Sequence, residues 1–434
     1  MSVFAKASAS RSRTLKTVVG GIALVSASAL ILSGCASSTP SDDDTSSSAA
    51  EETSGPVEDL ALKIGTALPV TGNLAFLGPP EIAGVQYAIS DINAASTNVT
   101  ASVVEGDSGD TDNKAYEAEI PRLLGEDVQA IIGAASSGTS LQFIDQVVDA
   151  GVIQFSPANT SADFTTYDDK GLYFRTAPSD VLQGEVLGNL IAEDGNETLG
   201  MIVLNDSYGT GLASFTKEAF EAAGGEVVAE ATYNTGDTTF DSQISEVLAA
   251  DPDAIALITF EEVATIIPDL VSSFPSDKLY FVDGNLKNFD DAFPEGTLTG
   301  AKGTLPGLSI DSISEFTDKL QEFWTGEGNK KLDDFSYAAE SYDAVVLLAL
   351  AEMAAGSEDP TAIAEKLQEV SGGSGDGEKC STFADCATII TDGGVADYDG
   401  ISGPITFDEV GDPTEATIGI YQFGEDNNYS AYDE

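Results

Sequence analysis

Segments typical of strands and segments typical of helices alternate through the first two thirds of the folded chain, and this order constrains the fold most. Short runs of branched apolar residues fit buried strands, and between them apolar residues recur at helical spacing, as at Ile82, Val85 and Ile89. Parallel strands need a crossover between them, and that crossover is usually a helix. The sequence therefore predicts an α/β protein with parallel sheets.

The predicted elements form two successive series. The first has strands at 62–68, 99–104, 130–134 and 152–155, with helices at 82–92, 112–124 and 139–150. The second has strands at 199–204, 226–233, 254–260 and 280–282, with helices at 184–193, 212–223 and 239–250. A chain of 434 residues is too long for one ordinary core. Two Rossmann-like lobes are therefore predicted, with their strand ends facing a shared cleft.

Residues 1–34 have the pattern of a lipoprotein signal peptide. Basic residues precede an apolar run, Val18 to Leu32, which small residues and Cys35 follow. The run is too short and too rich in small residues for a typical membrane-spanning helix. The position of Cys35 resembles a bacterial lipobox, which implies cleavage before Cys35 and a lipid anchor on its thiol at the extracytoplasmic face of the cell membrane. A secreted protein with an incidental Cys35 is the alternative.

Residues 35–59 contain mainly Ser, Thr, Asp, Glu and Ala, so they are predicted to form a disordered tether. Two further cysteines, Cys380 and Cys386, are predicted to form a local disulfide outside the cytoplasm. Closing so short a loop contributes about 2–3 kcal/mol at most. No metal site and no cofactor are expected, because the chain has no further thiol to add and no histidine.

Charge and composition exclude several classes of function. The net charge of −55 opposes nucleic-acid binding, which needs basic patches. The absence of histidine removes Ser-His-Asp and Cys-His catalysis, and no G-x-S-x-G motif is present, so an enzyme is not expected. The long-range field repels anionic solutes, whereas a zwitterion avoids most of that cost. The sequence therefore favours an amino acid over a dicarboxylate as the bound solute.

Several segments at predicted strand ends resemble, in order, the leucine/isoleucine/valine-binding protein family. They are Pro69–Gly72, Gly133–Thr139, Phe155–Thr160, Asp206–Gly211, Asp283–Gly284 and Gly403–Asp408. Each segment is weakly specific alone, but the ordered set covers the chain from about residue 60 to its end. The resemblance implies a type I periplasmic-binding-protein fold, in which three crossovers join the lobes and a hinge closes over the ligand.

On this basis the N-terminal lobe is predicted to contain 60–177 and 306–402, and the C-terminal lobe 178–305 and 403–434. In the N-terminal lobe, Ser136, Ser137 and Thr139 stand where a strand ends and a helix begins. Hydroxyls and N–H groups there would bind a ligand carboxylate, and the resemblance gives this role to Ser137. The alternative is that these residues only cap the helix.

The resemblance also places Ala158, Asn159 and Thr160 at the ligand. It implies that the Ala158 carbonyl accepts a hydrogen bond from the ligand ammonium and that Thr160 offers its hydroxyl and N–H. An ordinary strand-to-loop turn is the alternative. Leu77 and Phe260 hold positions where the family often carries aromatic residues, so they are expected to form an apolar wall, with packing inside a lobe as the alternative.

The C-terminal lobe is expected to contribute Tyr208 and Asp283. The resemblance implies that Tyr208 covers the ligand when the lobes close, unless it is a surface tyrosine. Asp283 is expected to pair with the ligand ammonium. If Asn285 faced the ligand instead, an uncharged amide or urea-like solute would be favoured.

These observations predict the solute-binding lipoprotein of an ABC importer. The protein is expected to capture a branched-chain or other small amino acid by hinge closure and deliver it, as a monomer, to a membrane permease. One alternative is a binder of an amide or urea-like solute. Another is a ligand sensor of the same fold that is coupled to a membrane signalling partner.

Overall fold

The structure is a computed structural model that describes residues 59–432. The predicted signal peptide, the predicted lipidation site Cys35 and the predicted tether as far as residue 58 lie outside the described residues. None of the helices in the described range has the combined length and apolar character that a membrane crossing requires.

The first lobe is built on a five-stranded parallel sheet. Its elements are β1 (Leu60–Ala67), α1 (Gly78–Ala94), β2 (Val99–Val104), α2 (Tyr116–Leu124), β3 (Ala130–Gly133), α3 (Ser137–Asp149), β4 (Ile153–Ser156) and β5 (Tyr173–Arg175). The strand order is β2-β1-β3-β4-β5, and every neighbouring pair is parallel. Because the order reverses at β1, the carboxyl ends of β1 and β3 open onto a crevice.

The second lobe repeats this plan. Its elements are α4 (Asp180–Glu193), β6 (Thr198–Leu204), α5 (Ser207–Ala222), β7 (Glu226–Tyr233), α6 (Asp241–Ala249), β8 (Ala254–Ile258), α7 (Val263–Leu270), β9 (Leu279–Phe281) and β10 (Lys302–Pro306). These strands pair in the order β10-β9-β8-β6-β7, all parallel. The fold is therefore the predicted α/β arrangement with two Rossmann-like lobes.

The chain then returns to the first lobe. The elements there are α8 (Ser314–Gly326), α9 (Ala338–Ala355), α10 (Pro360–Val370), β11 (Glu378–Cys380), α11 (Phe383–Thr391), β12 (Ala396–Gly400) and β13 (Gly403–Pro404). The helix α9 is buried along almost its whole length, because α1 and α10 pack against it. Strands β11, β12 and β13 form a small separate sheet. A disulfide joins Cys380 to Cys386, with the two Cα atoms 5.4 Å apart.

Two strands complete the second sheet. They are β14 (Ile418–Phe423) and β15 (Tyr429–Ala431), and they extend the sheet beyond β10 as antiparallel strands. Short 3₁₀ turns occur at Phe164–Thr166, Ser276–Lys278, Asp290–Ala292 and Ile310–Ile313.

Three crossovers connect the lobes: after β5, after β10 and before β14. The third lies later than the predicted boundary at residue 403. Ile405 and Phe407 belong to the apolar core of the first lobe, where the Phe407 ring lies 5.5 Å from that of Phe174. These two apolar side chains hold the segment on the first lobe, so the chain reaches the second lobe only as it approaches Ile418.

Side-chain caps explain where several helices start. In each case an oxygen of the residue before the helix accepts a hydrogen bond from a backbone N–H of the first turn, which would otherwise lack a partner. The capping residues are Ser136, Ser179, Asp206, Asp359 and Thr382. Two of them, Ser136 and Asp206, stand at strand ends that face the cleft.

Candidate functional site

A small cavity of about 240 Å³ lies between the two lobes at the carboxyl ends of their strands. The side chains that line it are largely shielded from solvent. They are Leu74, Leu77, Ala135, Ser136, Ser137, Ala158, Thr160, Tyr208, Phe260, Asp283, Gly284 and Tyr337. Larger grooves lie beside Trp324 (about 980 Å³) and Phe316 (about 1490 Å³). The inter-lobe cavity is the candidate site because it lies where α/β sheets bind ligands.

The end of β3 brings the start of α3 to the cavity. Gly133 has a φ of +116°, and a side chain there would meet the Ala67 carbonyl oxygen at 2.2 Å, so the turn requires glycine. The Ser136 Oγ accepts from the Thr139 N–H at 3.2 Å, which confirms a capping role for this residue. Ser136 and Ser137 both still line the cavity, whereas Thr139 does not. The partial positive charge of the α3 N-terminus is therefore directed at the cavity.

The turn after β4 presents Ala158 and Thr160 to the cavity. The Ser156 Oγ accepts from the N–H groups of Ala158 and Asn159, at 3.2 and 2.9 Å, and this fixes the turn. Thr160 is almost completely buried, as the wall of a closed site requires.

Asn159 is not on the cavity wall, contrary to the prediction. Its Nδ2 donates to the carbonyl oxygens of Ala134 and Ala135, at 2.9 and 2.8 Å. Its Oδ1 accepts from the Tyr173 hydroxyl at 3.1 Å. The amide is turned into the lobe because it donates to backbone carbonyls just beyond the end of β3. Asn159 therefore supports the site without lining it.

Asp283 supplies a buried carboxylate at the end of β9. Its Oδ1 accepts from the Tyr208 hydroxyl at 2.7 Å and from Gln183 Nε2 at 3.0 Å, and its Oδ2 accepts from the Tyr337 hydroxyl at 2.8 Å. Burial raises the pKa of Asp283 above its ordinary value, although these three hydrogen bonds oppose the increase. Asp283 is thus held in place by neutral donors and has no basic partner.

Asn285 faces away from the cavity. Its Nδ2 donates to the Leu257 carbonyl at 2.6 Å and to Thr259 Oγ1 at 2.9 Å, and its Oδ1 accepts from the Val282 N–H at 3.0 Å. Both the nitrogen and the oxygen of the amide are bonded within its own lobe. Of the two candidates, Asp283 therefore lies on the wall and Asn285 does not.

A second buried acid, Asp180, lies near both Asp283 and Thr160. Asp180 is inaccessible to solvent, and its pKa is raised well above the ordinary value, first by burial and then by the negative charge of Asp283. No lysine or arginine lines the cavity. This part of the site therefore lacks positive charge, and a cationic group beside Asp283 would supply it.

The remaining wall is apolar. Leu77 and Phe260 line the cavity, at 2% and 5% exposure, together with Leu74. The Tyr208 ring stacks on the Phe260 ring, with centroids 5.3 Å apart and planes 18° apart. The cavity thus has a hydroxyl-rich end, an acidic end and an apolar wall.

Comparison with known proteins shows the family. A sequence model of the family described as periplasmic binding protein matches residues 61–392, which is more than half of the chain. The chain belongs to the periplasmic binding protein family. Members of this family are extracytoplasmic and bind solutes without transforming them, so the prediction that the chain is not an enzyme is confirmed by its family.

Individual relatives of this periplasmic binding protein agree with that assignment. It is 33% identical over 192 residues to the leucine-, isoleucine-, valine-, threonine- and alanine-binding protein of Pseudomonas aeruginosa, a match that spans 44% of this chain and 51% of that one. It is 24% identical over 387 residues to Leu/Ile/Val-binding protein homolog 2 of Brucella abortus, spanning 86% and 93% of the two chains. The predicted resemblance to the leucine/isoleucine/valine-binding protein family is confirmed.

A solved structure gives the same fold. The leucine-binding protein LivK of Thermotoga maritima superposes with a TM-score of 0.69 at 22% sequence identity, covering 86% of this chain and 98% of that one. The two-lobed type I fold of the periplasmic binding proteins is therefore shared.

Three residues of this periplasmic binding protein's site were missed by the sequence analysis. Tyr337 precedes α9 with a φ of +60° and reaches Asp283. Gln183 lies on α4, where no sequence pattern marks it. Leu74 follows the Gly72 turn, and its position in the recognisable segment near Leu77 could have indicated it. Among these three residues, the only sequence signal that could have indicated a site role was proximity to a predicted strand end.

The lobes of the periplasmic binding protein touch on both sides of the cavity. On one side Asn73 Nδ2 donates to Glu262 Oε1 at 2.5 Å, and Lys287 Nζ lies 5.1 Å from the centre of the Phe76 ring. On the other side the Ser161 hydroxyl donates to a backbone carbonyl oxygen of the second lobe at 3.2 Å. The lobes therefore enclose the cavity. Among residues 59–432, no group of three or more acidic or sulfur ligands could hold a metal ion.

Proposed function

We propose that this periplasmic binding protein captures a small aliphatic amino acid, of the branched-chain type, in the inter-lobe cavity and delivers it to the permease of an ABC importer. The observation that carries the proposal is the distribution of charge across one small cavity. A helix N-terminus with two hydroxyls lies at one end, a buried carboxylate lies at the other, and no basic side chain lines either. These ends complement the two charges of a zwitterion.

The carboxylate of the ligand is assigned to the α3 end. Ser136, Ser137 and Thr160 offer hydroxyls there, and the free N–H groups of the first helical turn add partial positive charge. Neutral donors of this kind bind a carboxylate without an arginine, and they keep little affinity for dianions in a chain of charge −55.

The ammonium of the ligand is assigned to Asp283 and the Ala158 carbonyl. A cation beside Asp283 forms a charge-assisted hydrogen bond and relieves the cost of burying that carboxylate close to Asp180. An amide or urea-like solute would leave both acids without a counter-charge. The amide of Asn285, which would have favoured such a solute, is occupied within its own sheet.

The side chain of the ligand is assigned to the wall formed by Leu74, Leu77 and Phe260. The cavity is small and this part of its wall is apolar, which favours a short aliphatic side chain over an aromatic or long one. The names of the Pseudomonas and Brucella relatives, which include leucine, isoleucine and valine, support the same class.

The proposal includes a lipid anchor on Cys35, a tether formed by the acidic residues that follow, and action as a monomer. The sequence pattern at Cys35 supports the anchor. Metabolic labelling of growing cells with an alkyne fatty acid tests it. We expect label on the parent protein and none on Cys35→Ser, and equal label on both would contradict the anchor.

A thermal-shift screen followed by calorimetry tests the ligand class. The purified protein is screened against twenty amino acids, short amides, urea and polyamines. Leucine, isoleucine, valine or alanine should stabilise it most, by about 2.7 kcal/mol at a ligand concentration one hundred times Kd. A shift with urea or amides but with no aliphatic amino acid would contradict the proposal. Chemical conversion of any added ligand would contradict it as well.

A further inference from the structure

Arg175, the last residue of β5, is a fully buried cation whose five N–H donors are all used. Nε donates to Asp412 Oδ1 at 2.6 Å. Nη2 donates to Asp412 Oδ2 at 2.8 Å and to Thr165 Oγ1 at 3.2 Å. Nη1 donates to the carbonyl oxygens of Ser161 at 2.7 Å and Asn159 at 3.3 Å. A guanidinium with every donor satisfied holds its neighbours in a single geometry.

Two of these acceptors belong to the loop that lines the cavity. The carbonyls of Asn159 and Ser161 are directed at Arg175, and the residue between them, Thr160, lies on the cavity wall. The Ser161 N–H donates to Ser137 Oγ at 3.2 Å, so the same loop is also tied to the start of α3. Arg175 thereby determines where the two polar parts of the first lobe stand relative to each other.

The same guanidinium holds the crossovers. Asp412 belongs to the segment that leads into the third crossover, and the Arg175 N–H also donates to the Gly411 carbonyl at 3.2 Å. Arg175 itself is the last residue before the first crossover, where the Asp180 N–H donates to the Thr160 carbonyl at 2.7 Å. The cavity loop is thus joined to two of the three connections between the lobes.

One further contact extends this network to the second lobe. The hydroxyl of Ser161, whose carbonyl accepts from Arg175, donates to the Ser207 carbonyl at the start of α5. The next residue after Ser207 is Tyr208, which covers the cavity. A shift of the loop would therefore disturb the contact that accompanies closure.

We propose that Arg175 is a positioning residue that couples the shape of the cavity loop to closure of the lobes. It does not line the cavity. It holds residues 158–161 in the form that presents Thr160, and it anchors that form to the first and third crossovers through Asp412. The part of this inference that concerns affinity rests on the proposed function, whereas the part that concerns the loop does not.

Lysine cannot replace Arg175 in this role. A planar guanidinium donates to both oxygens of Asp412 and still directs Nη1 at the loop. An ammonium has three donors around one nitrogen, so it cannot make both contacts in this geometry. Arg175→Lys keeps the positive charge and removes the bidentate contact with Asp412. Asp412→Asn keeps Arg175 and removes the charge of its anchor.

The test compares Arg175→Lys and Asp412→Asn with Leu367→Ala. Leu367 on α10 is fully buried in the core of the first lobe, so its truncation lowers stability without touching the loop. Hydrogen exchange of the backbone amides of residues 158–161 is measured without ligand. Calorimetry then gives Kd for L-alanine, L-valine and L-leucine at a temperature at which circular dichroism shows every variant folded.

We expect faster exchange at residues 158–161 in both charge-site variants and unchanged exchange there in Leu367→Ala. Kd should rise about tenfold, because a loop that is ordered in only a fraction of molecules reduces apparent affinity by that fraction. The factor should be the same for all three ligands, since the loop contacts the groups they share. Leu367→Ala should lower the melting temperature and leave Kd unchanged.

Loop exchange equal to the parent in folded Arg175→Lys would overturn the inference, as would a Kd rise in Leu367→Ala equal to that in Arg175→Lys. If Arg175→Lys does not fold, the same two measurements on Asp412→Asn decide. If the parent binds none of the three amino acids but loop exchange rises only in the charge-site variants, the proposed ligand is wrong and the positioning role stands.

Discussion

The two walls of the cavity achieve their polarity by different means. The first-lobe wall, formed by Ser136, Ser137, Ala158 and Thr160, presents hydroxyls and backbone groups that are neutral. The second-lobe wall, formed by Tyr208, Phe260 and Asp283, presents an acid among aromatic rings. Burying neutral hydrogen-bonding groups costs little electrostatic free energy. Burying an ionised acid costs much more until a cation pairs with it. We infer that the first lobe recognises the ligand and that the second-lobe wall gains the most free energy when the ligand is enclosed.

Loss of the charge on the second-lobe wall should have the largest effect. Asp283→Asn keeps the shape of the side chain and removes the partner of the ligand ammonium, so Kd for L-leucine should rise by roughly a hundredfold or more. Calorimetry measures this. The matched control is Glu352→Gln, which removes a buried acid from the interior of α9, away from the cavity. If Asp283→Asn binds as tightly as Glu352→Gln, the second-lobe wall does not hold the ammonium.

Weakening the support of that charge should have an intermediate effect. Tyr208→Phe removes one hydrogen bond to Asp283 and leaves the ring stacked on Phe260, so Kd should rise about tenfold. Fluorescence or calorimetric titration measures it. Tyr87→Phe serves as control, because Tyr87 on α1 packs in an aromatic cluster outside the cavity. An unchanged Kd in Tyr208→Phe would show that the hydroxyl is not needed for binding.

Acid should weaken binding, and the largest part of this effect should come from Asp283 on the second-lobe wall. Burial raises the pKa of Asp283 in the free protein, and a ligand ammonium favours the ionised form, so binding releases a proton once the pH falls to that raised pKa. Affinity should therefore fall as the pH is lowered, by at most about tenfold per pH unit below the pKa of the free protein. Calorimetry in buffers of different ionisation enthalpy detects the released proton. Asp283→Asn should flatten this dependence, and a dependence equal to the parent would assign it to another group.

Loss of one hydroxyl on the first-lobe wall should have the smallest effect. Ser137→Ala removes one neutral donor among several, so Kd should rise only a few-fold. Ser90→Ala on the exposed surface of α1 is the control. If Ser137→Ala weakened binding as much as Asp283→Asn, the two walls would not differ in the way described above.

The strand and helix pattern was predictable to within a few residues in most of the chain. The predicted strands at 99–104 and 226–233 coincide with β2 and β7. These elements follow from the local spacing of apolar residues, which the sequence contains directly. The third crossover was predicted too early, because its position was taken from the resemblance, whereas the burial of Phe407 in the first lobe depends on residues far away in the sequence.

The candidate site was predictable by position and less so by side-chain direction. Thr160 and Asn159 are neighbours with similar polarity, yet the first lines the cavity and the second binds backbone carbonyls within the lobe. Tyr337 lies outside every predicted site segment and reaches Asp283 only in the folded chain. Gln183 has no neighbouring motif, and its bond to Asp283 links residues 100 positions apart.

The sequence alone determined the α/β class and the two series of elements, and it indicated the strand ends that line the cavity. These properties depend on local periodicity and on short motifs. Only the tertiary structure decided that Asp283 rather than Asn285 lines the cavity, and that Arg175 bonds both the cavity loop and Asp412, 237 positions away. The reason is physical: a polar side chain at a strand end turns toward whichever donors and acceptors the packed neighbours leave unpaired.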